Sequence, residues 1–376
     1  MLHQKVIRGR DSLRKVAQMA EQLQMKHPLI VGSRHLTGLL LKKSPDLLLS
    51  PIFSEYHPNP DLKDAESGVQ LYCTQKCDSI ISIGGGSAID TAKAIKALIY
   101  ADSFEEAAKN HFHEKMEIPH LAIPGTAGTG SEATQFAVTY LNHRKISLNH
   151  PDLQPDGIIL DAELLKTLPE YHKKSCALDA LSQGIESYWC TSANEDSKVH
   201  AYLAILGVLD NLTAYLNGDL HAAEEMLEAS YQSGKAIQIT RTTAAHAMSY
   251  QLTATMGYAH GHACMITLPV LWEMMYEHDE MKPLLQDLSD KMRLGHPLVV
   301  PRLLRGIMID LNMEIPFVSE QEILDSLADS VNTERLQNHP LPMDRETVKV
   351  AYKRSFIPLS STEKQACLDI WKYYCQ

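Results

Sequence analysis

The chain has no surplus of positive charge, no low-complexity tract, and no apolar run that approaches the thickness of a bilayer. Each absence excludes a class of function. A formal net charge of −11 over 376 residues argues against a nucleic-acid partner, because such binding draws on phosphate neutralisation by a basic face. A local basic pocket for one small phosphate is still allowed. Without a long apolar run no membrane span is expected. The opening MLHQKVIRGRDS also lacks the apolar centre of a signal peptide, so the expected compartment is the cytoplasm. Cysteine is sparse and odd in number: Cys73, Cys77, Cys176, Cys190, Cys264, Cys367 and Cys375. Cys73 and Cys77 lack a second closely spaced pair, which argues against a structural zinc knot. All seven are read as reduced thiols, mostly in the core. No internal repeat is present, and the length suffices for two domains.

What is present changes texture along the chain. The first part alternates strand and helix signals. Short apolar runs at Pro28–Ser33, Asp78–Gly84 and His120–Pro124 are separated by helical patterns at Asp61–Cys77 and Gly84–Leu98. This alternation predicts an α/β domain with an open parallel sheet, helices on its faces, over residues 1–165. Beyond about Asp161 long helical stretches follow, at Cys176–Thr191, Ser197–Leu216, Ala222–Thr255, Pro269–Leu294 and Glu320–Ser330. They predict an all-helical domain over residues 166–376. Chemistry is expected where the two domains face each other and at the carboxyl ends of the strands.

Two glycine-rich loops follow strands. Gly84, Gly85, Gly86 and Ser87 join a strand to a helix, where tight backbone and a helix N-terminus suit a pyrophosphate and Ser87 adds a hydroxyl donor. The spacing is not the usual GxGxxG, and a bare strand-to-helix turn would use the same residues. The second loop, GTAGTGS at 125–131, offers the Thr126 and Thr129 hydroxyls to phosphate or ribose. Asp90 and Lys93 have a plain reading as a solvated helix face, yet Asp90 lies close enough to the first loop to contact a cofactor. Glu132 is read as an anchor for its own loop. After the strand at Pro28–Ser33, Ser33 stands where a carboxylate would select NAD, and Arg34 offers a partner for a 2′-phosphate. The alternative for Arg34 is a solvated loop arginine.

The segment TTAAHAMSYQLTATMGYAHGH, 242–262, carries His246 on a helical pattern and His260 in a His-Gly-His turn after Gly257. Two imidazoles presented from a helix and the following loop can converge on one divalent cation, with Asp179 as the compensating carboxylate. Two unrelated core histidines are the alternative.

Taken together, GGGSAID at 84–90, PGTAGTGSE at 124–132, DALSQGIESY at 179–188, His246, and HGHAC at 260–264 resemble the iron-containing (group III) alcohol dehydrogenases. The resemblance covers most of the chain and extends to glycerol dehydrogenase and dehydroquinate synthase. It implies a dehydroquinate synthase-like fold, an N-terminal dinucleotide-binding domain followed by a helical metal-binding domain. The implied activity is NAD(P)-dependent interconversion of alcohol and aldehyde. Carried over residue by residue, it implies Asp179, His246 and His260 as ligands to Fe2+ or Zn2+. Gln183 stands where many members have a histidine, and Tyr250 where many have another. Gln183 binds a cation only through its carbonyl oxygen. For the dinucleotide the implied positions are Ser33, Arg34, Asn59, Gly84, Gly85, Gly86, Ser87, Asp90, Thr126, Thr129 and Lys145. His262, two residues past a ligand, is a proton relay, a substrate contact, or support for the metal ligands.

The patterns YHPNP at 56–60 and ALDALSQGIESYW at 177–189 are most similar to phosphonoacetaldehyde reductases, which make 2-hydroxyethylphosphonate. A phosphonate needs cationic or N–H donors; Arg241, His262, His150 and Lys145 are the candidates. A general alcohol dehydrogenase and a lyase or cyclase of the dehydroquinate synthase kind are the rival expectations. The expected partners are a small aldehyde or alcohol and a second copy of the chain, with neither nucleic acid nor membrane. NADP or NAD is expected, with NADPH preferred.

Overall fold

The computed structural model describes residues 4–58, 60–113, 115–142, 144–313, 315–331 and 336–376. Asn59, one of the expected cofactor positions, lies outside the described residues. The chain divides into two compact units, Met1–Leu168 with Gly218–Gly234, and Pro169–Asn217 with Lys235–Gln376. The first unit therefore takes in Gly218–Gly234, which a boundary at residue 165 leaves to the second.

The first unit is built on a six-stranded, wholly parallel sheet. Its strands are β1 (Lys5–Arg8), β2 (Pro28–Gly32), β3 (Ile52–Phe53), β4 (Ser79–Gly84), β5 (His120–Pro124) and β8 (Gly157–Leu160). Their order across the sheet is β1-β8-β5-β4-β2-β3. Both faces are covered, which is why the strands read as continuous apolar runs. The pleat sends Leu29, Val31 and Ile80 into one core cluster with Leu62 and Ile95, from helices α3 (Leu62–Thr74) and α4 (Gly86–Ile99). It sends Ile30, Ile81 and Ile83 into another with Val16, Met19 and Leu40, from α1 (Val16–Gln22) and α2 (Arg34–Lys43). The sequence reading missed β1, β3 and β8, and also an antiparallel hairpin of β6 (Phe136–Leu141) with β7 (Arg144–Asn149).

The chain leaves β2 for β3 on one side and β4 for β5 on the other. The carboxyl ends of β2 and β4 thus flank the point where strand order reverses, the place where open α/β sheets bind ligands. Gly32 pairs with Ile83, and Gly84 with Pro124. The turns after β2, β4 and β5 therefore lie at one edge of the sheet.

The second unit is helical. Helix α6 (Glu170–Trp189) packs against α7 (Glu195–Leu216) and α10 (His260–Tyr276), and α10 also against α9 (Ala244–Met256). Three sequence expectations are corrected here. The single helix expected over Ala222–Thr255 is broken: α8 (Leu220–Thr240) ends before Arg241, whose φ of 68° is left-handed. The helix expected to begin at Pro269 instead runs from His260 with Pro269 inside it, and it ends at Tyr276 rather than Leu294. Helix α7 is long and apolar enough to cross a membrane by length and composition, contrary to the reading that no run approaches that length. Its Ala201, Ala204, Ile205, Val208 and Leu212 are buried at helical spacing, which marks a core-facing stripe.

Candidate functional site

Helix α6 carries Asp179, Gln183 and Glu186 at spacings of four and three residues, so all three share one face. Helix α9 opens just after Thr243, which supplies no side-chain cap to its own helix. Its hydroxyl donates instead to Glu186 Oε1 at 2.6 Å, and the Ala245 N–H donates to the same oxygen at 2.8 Å. Glu186 Oε2 meets His246 Nδ1. This fully buried carboxylate thereby caps α9 and fixes the tautomer of its histidine, leaving Nε2 turned toward Asp179 Oδ1 at 3.2 Å. Gly257, at φ 74°, ends α9, and Ala259 caps α10 so that His260 is the first residue of a helix. Ser249 gives its hydroxyl proton to the His246 carbonyl at 2.8 Å and faces His260 Nδ1 at 3.2 Å. His260 Nε2 then lies 3.8 Å from the same Asp179 oxygen.

Both imidazoles are thus tied through Nδ1 and present Nε2 to one carboxylate oxygen. Because His260 begins a helix, Cys264 falls one turn on and on the same face, its sulfur 4.0 Å from His260 Nε2. Among the described residues, single donor atoms of Asp179, His246, His260 and Cys264 all lie within 4.8 Å of one another. Asp179, His246 and Cys264 are buried, while the His260 side chain is 37% exposed and forms the open side. Burial favours the neutral acid at Asp179, but His260 and His246 outweigh it and hold the carboxyl below its usual range. Burial likewise opposes charge on both histidines, yet Cys264 with Glu186 lifts His246, and Cys264 with Asp179 lifts His260. Burial pushes the Cys264 thiol up, and His246 and His260 more than reverse this, to about 7. Two imidazole nitrogens, one carboxylate oxygen and one sulfur thus face one another. That donor set fits a metal ion.

Helix α10 reaches this position because Gly261 has no side chain. A Cβ there would lie 2.0 Å from the Ser175 carbonyl and 2.6 Å from Asp179 N. The Gln183 amide N–H donates to Asp179 Oδ1 at 3.4 Å. Tyr250 stacks flat on His260, 5.7 Å between ring centres. His262 was expected in a loop beside the ligands. In a helix, two residues turn it about 200° from His260. It is buried against Tyr258 and faces the Tyr171 hydroxyl at 3.1 Å. Glu186 and Cys264 were not singled out from sequence. The signal for Glu186 was its place three residues after Gln183; the signal for Cys264 appears only once His260 is known to start a helix.

In the first unit, Gly85 to Ser87 are partly exposed at the N-terminus of α4. A Cβ on Gly84 would strike Ala88, and one on Gly86 would meet Thr129 at 3.0 Å, so the two glycine loops touch through Thr129. Ser87 donates its hydroxyl to Pro58 O, inside the 56–60 pattern. Asp90 accepts from Ser131 Oγ at 2.6 Å and from Val138 N at 2.9 Å. Lys93 is fully buried rather than solvated, and its ammonium bonds to Ser131 O, Ser131 Oγ, Thr134 Oγ1 and Phe136 O. Helix α4 therefore braces the second loop from beneath. Glu132 in the same loop is buried, its Oε1 has no hydrogen-bond partner among the described residues, and burial pushes its carboxyl up to about 7. Thr126 is half-buried, and Lys145 lies on β7 close enough to act electrostatically on Asp90.

Ser33 caps α2 through Leu36 N, and Arg34 begins that helix, exposed. Arg34 lines a cavity of about 640 Å³ together with Thr37, Phe53, Ser54 and Glu55. Of the phosphonate candidates, Arg241 and His262 belong to the second unit. His150 and Lys145 belong to the first, and His150 is occupied locally, accepting from Asp152 N and standing edge-on to Phe112.

Residues 3–162 match the family described as iron-containing alcohol dehydrogenase, and residues 174–356 the C-terminal part of the same family. An NAD-dependent methanol dehydrogenase of Bacillus methanolicus is 32% identical over 69% of this chain and 71% of its own. A phosphonoacetaldehyde reductase of Streptomyces viridochromogenes is 36% identical over 54% of each chain. Among solved structures, a sulfoacetaldehyde reductase of Bifidobacterium kashiwanohense in complex with NAD+ superposes with a TM-score of 0.88. It is 23% identical and covers 95% of this chain and 98% of its own. With both parts of the family matched in order and the fold shared end to end, the chain belongs to the iron-containing alcohol dehydrogenases.

Proposed function

We propose that this chain reduces a short aldehyde to its alcohol, and runs the reverse, with a nicotinamide dinucleotide and a divalent cation. The observation that carries the reading is the presentation of two imidazole Nε2 atoms and one buried carboxylate oxygen at a common point, each imidazole held through its other nitrogen. When bound, the cation contributes Lewis-acid polarisation of a carbonyl oxygen and the reduced nicotinamide contributes the hydride. Asp179, His246 and His260 hold the cation, iron or zinc, while Glu186 and Ser249 keep their donor atoms aimed. Burial of Asp179 and His246 keeps water from competing, and the exposed side at His260 admits substrate. The proton for the product oxygen is assigned to water at the open side beside His260, because His262 turns away from the ligands toward Tyr171.

Dinucleotide binding is assigned to the first unit and metal and substrate binding to the second, in place of a single boundary at residue 165. The pyrophosphate is assigned to Gly84–Ser87 at the head of α4, with Thr126, Thr129, Asp90 and Lys145 around it. Arg34 takes the adenosine-side phosphate of NADPH, and NADH is also used, because Ser33 brings no carboxylate. The substrate we assign is an aldehyde bearing a phosphonate, phosphonoacetaldehyde, with Arg241, in the same unit as the metal ligands, as its anion contact. Identity to a reductase of that aldehyde over about half the chain supports it. Broader coverage by a methanol dehydrogenase favours the second reading, a general alcohol dehydrogenase. A homodimer in the cytoplasm, where the seven free thiols stay reduced, completes the assignment.

The test is turnover of phosphonoacetaldehyde and butanal with NADH and with NADPH, on protein reconstituted with ferrous iron or zinc. A higher kcat/KM for phosphonoacetaldehyde is expected; equal or lower values select the second reading. Loss of bound metal is expected when His246 and His260 are both replaced by alanine, and full metal content in that variant would remove the assigned site.

A further inference from the structure

Cys264 is not part of the Asp-His-His-His set that the resemblance implies, and nothing assigned above uses its sulfur. Resting on the metal reading, we infer that Cys264 is the fourth ligand of this centre, so that the chain binds its cation through one oxygen, two nitrogens and one sulfur. Four observations converge. The first histidine position of the usual set holds Gln183, whose amide N–H is directed to Asp179. Tyr250, where many relatives carry another histidine, lies flat against the His260 ring. Cys264 Sγ belongs to the same 4.8 Å group as the other three donors, on the same helix face as His260. It is also fully buried, so no alternative partner from solvent competes for it.

The spacings suit one small cation. A tetrahedral ion with bonds of about 2.0–2.1 Å to nitrogen or oxygen and about 2.3 Å to sulfur sets its donors about 3.4 Å apart, or about 3.6 Å where sulfur is involved. The observed separations are 3.2 and 3.8 Å from Asp179 to the two imidazoles and 4.0 Å from His260 to the sulfur. At these three separations movements of a few tenths of an ångström suffice, and the remaining pairs lie within 4.8 Å. As the metal–sulfur bond forms, the thiol proton leaves to solvent. A thiolate in this position shifts the preference from iron toward zinc, a softer match for sulfur.

Cobalt(II) reports the ligand directly. Protein freed of metal and titrated with Co2+ is expected to gain visible d–d bands together with a near-ultraviolet thiolate-to-cobalt charge-transfer band. In Cys264→Ser and Cys264→Ala the charge-transfer band is expected to vanish while d–d bands persist. Zinc affinity, measured by competition with a chromophoric chelator, should drop more than about tenfold. A native circular dichroism spectrum and an unchanged melting profile of the metal-free variants separate ligand loss from misfolding. Stoichiometric cobalt with d–d bands but no charge transfer in the wild type, or the same band in both variants, overturns the assignment of Cys264 and leaves the other three ligands standing. No cobalt bound at all overturns the metal reading together with it.

Discussion

Glu186 touches no substrate position and yet determines which nitrogen of His246 faces Asp179. Replacing it with glutamine keeps the size but offers an amide to Nδ1 and removes the charge that the imidazole proton answers. We expect Glu186→Gln to lower metal affinity about 10–100-fold, read by isothermal titration with zinc; an unchanged affinity would show that His246 is oriented by packing alone. On the dinucleotide side, Ser33→Asp adds a carboxylate at the end of β2 that is proposed to hold the adenosine, where it would accept from a ribose hydroxyl and repel a 2′-phosphate. The ratio of kcat/KM for NADPH over NADH should fall at least tenfold. A wild-type enzyme that strongly prefers NADH would count against Arg34 as a phosphate partner, and Glu55 in the same cavity names the group responsible. At this scale the sequence named Asp179, His246 and His260, and the structure brings their donor atoms together. Glu186 was hidden for a physical reason: a buried carboxylate is legible only through the partners that neutralise it, and Thr243 and His246 are distant in the chain.

Among the elements, the α10–α6 contact decides the geometry of the centre. An added methyl at residue 261 would drive into Ser175 O and Asp179 N, both backbone atoms that move only with their helices. Gly261→Ala should therefore cost about 1–3 kcal/mol of stability and also halve or abolish metal retention, although no ligand is changed. Elemental analysis and thermal melts decide this, and a variant with full metal content and an unshifted Tm would refute the packing argument. Element types were mostly legible where the pattern was long: the β4 and α4 runs agree with the structure to within a residue or two. The loop expected at His260 was wrong because Gly257 punctuates the chain three residues earlier, and Ala259, an unremarkable cap, gives no sign that a helix restarts at once. The short strands β1, β3 and β8 carried too few residues to show a period, and only their neighbours in the sheet define them.

For the molecule as a whole, stability and pH are linked through the buried carboxyl of Glu132. Its folded pKa is raised to about 7 from 4.5, chiefly by burial. The folded state therefore holds this proton more tightly than the unfolded chain. The stabilisation it brings is full below the unfolded pKa and is lost as pH climbs through about 7. Glu132→Gln keeps a neutral group at all pH values, so its stability relative to wild type should improve by about 2–3 kcal/mol between pH 5 and pH 8. Urea unfolding at the two values measures this, and parallel curves for the two proteins would mean that Glu132 stays ionised in its loop. Large-scale organisation was legible in the change from alternating to helical texture, whereas the return of Gly218–Gly234 to the first unit was not. It rests on contacts such as that between Gly130 and Gly234, whose partners are far apart in sequence. With α10 pressed onto α6 at Gly261 through bare backbone, the spacing of the donor atoms is inherited from helix packing, not from the side chains placed there. A lineage can then exchange a histidine for glutamine or tyrosine, recruit a cysteine, and sample new cations while the frame stays fixed.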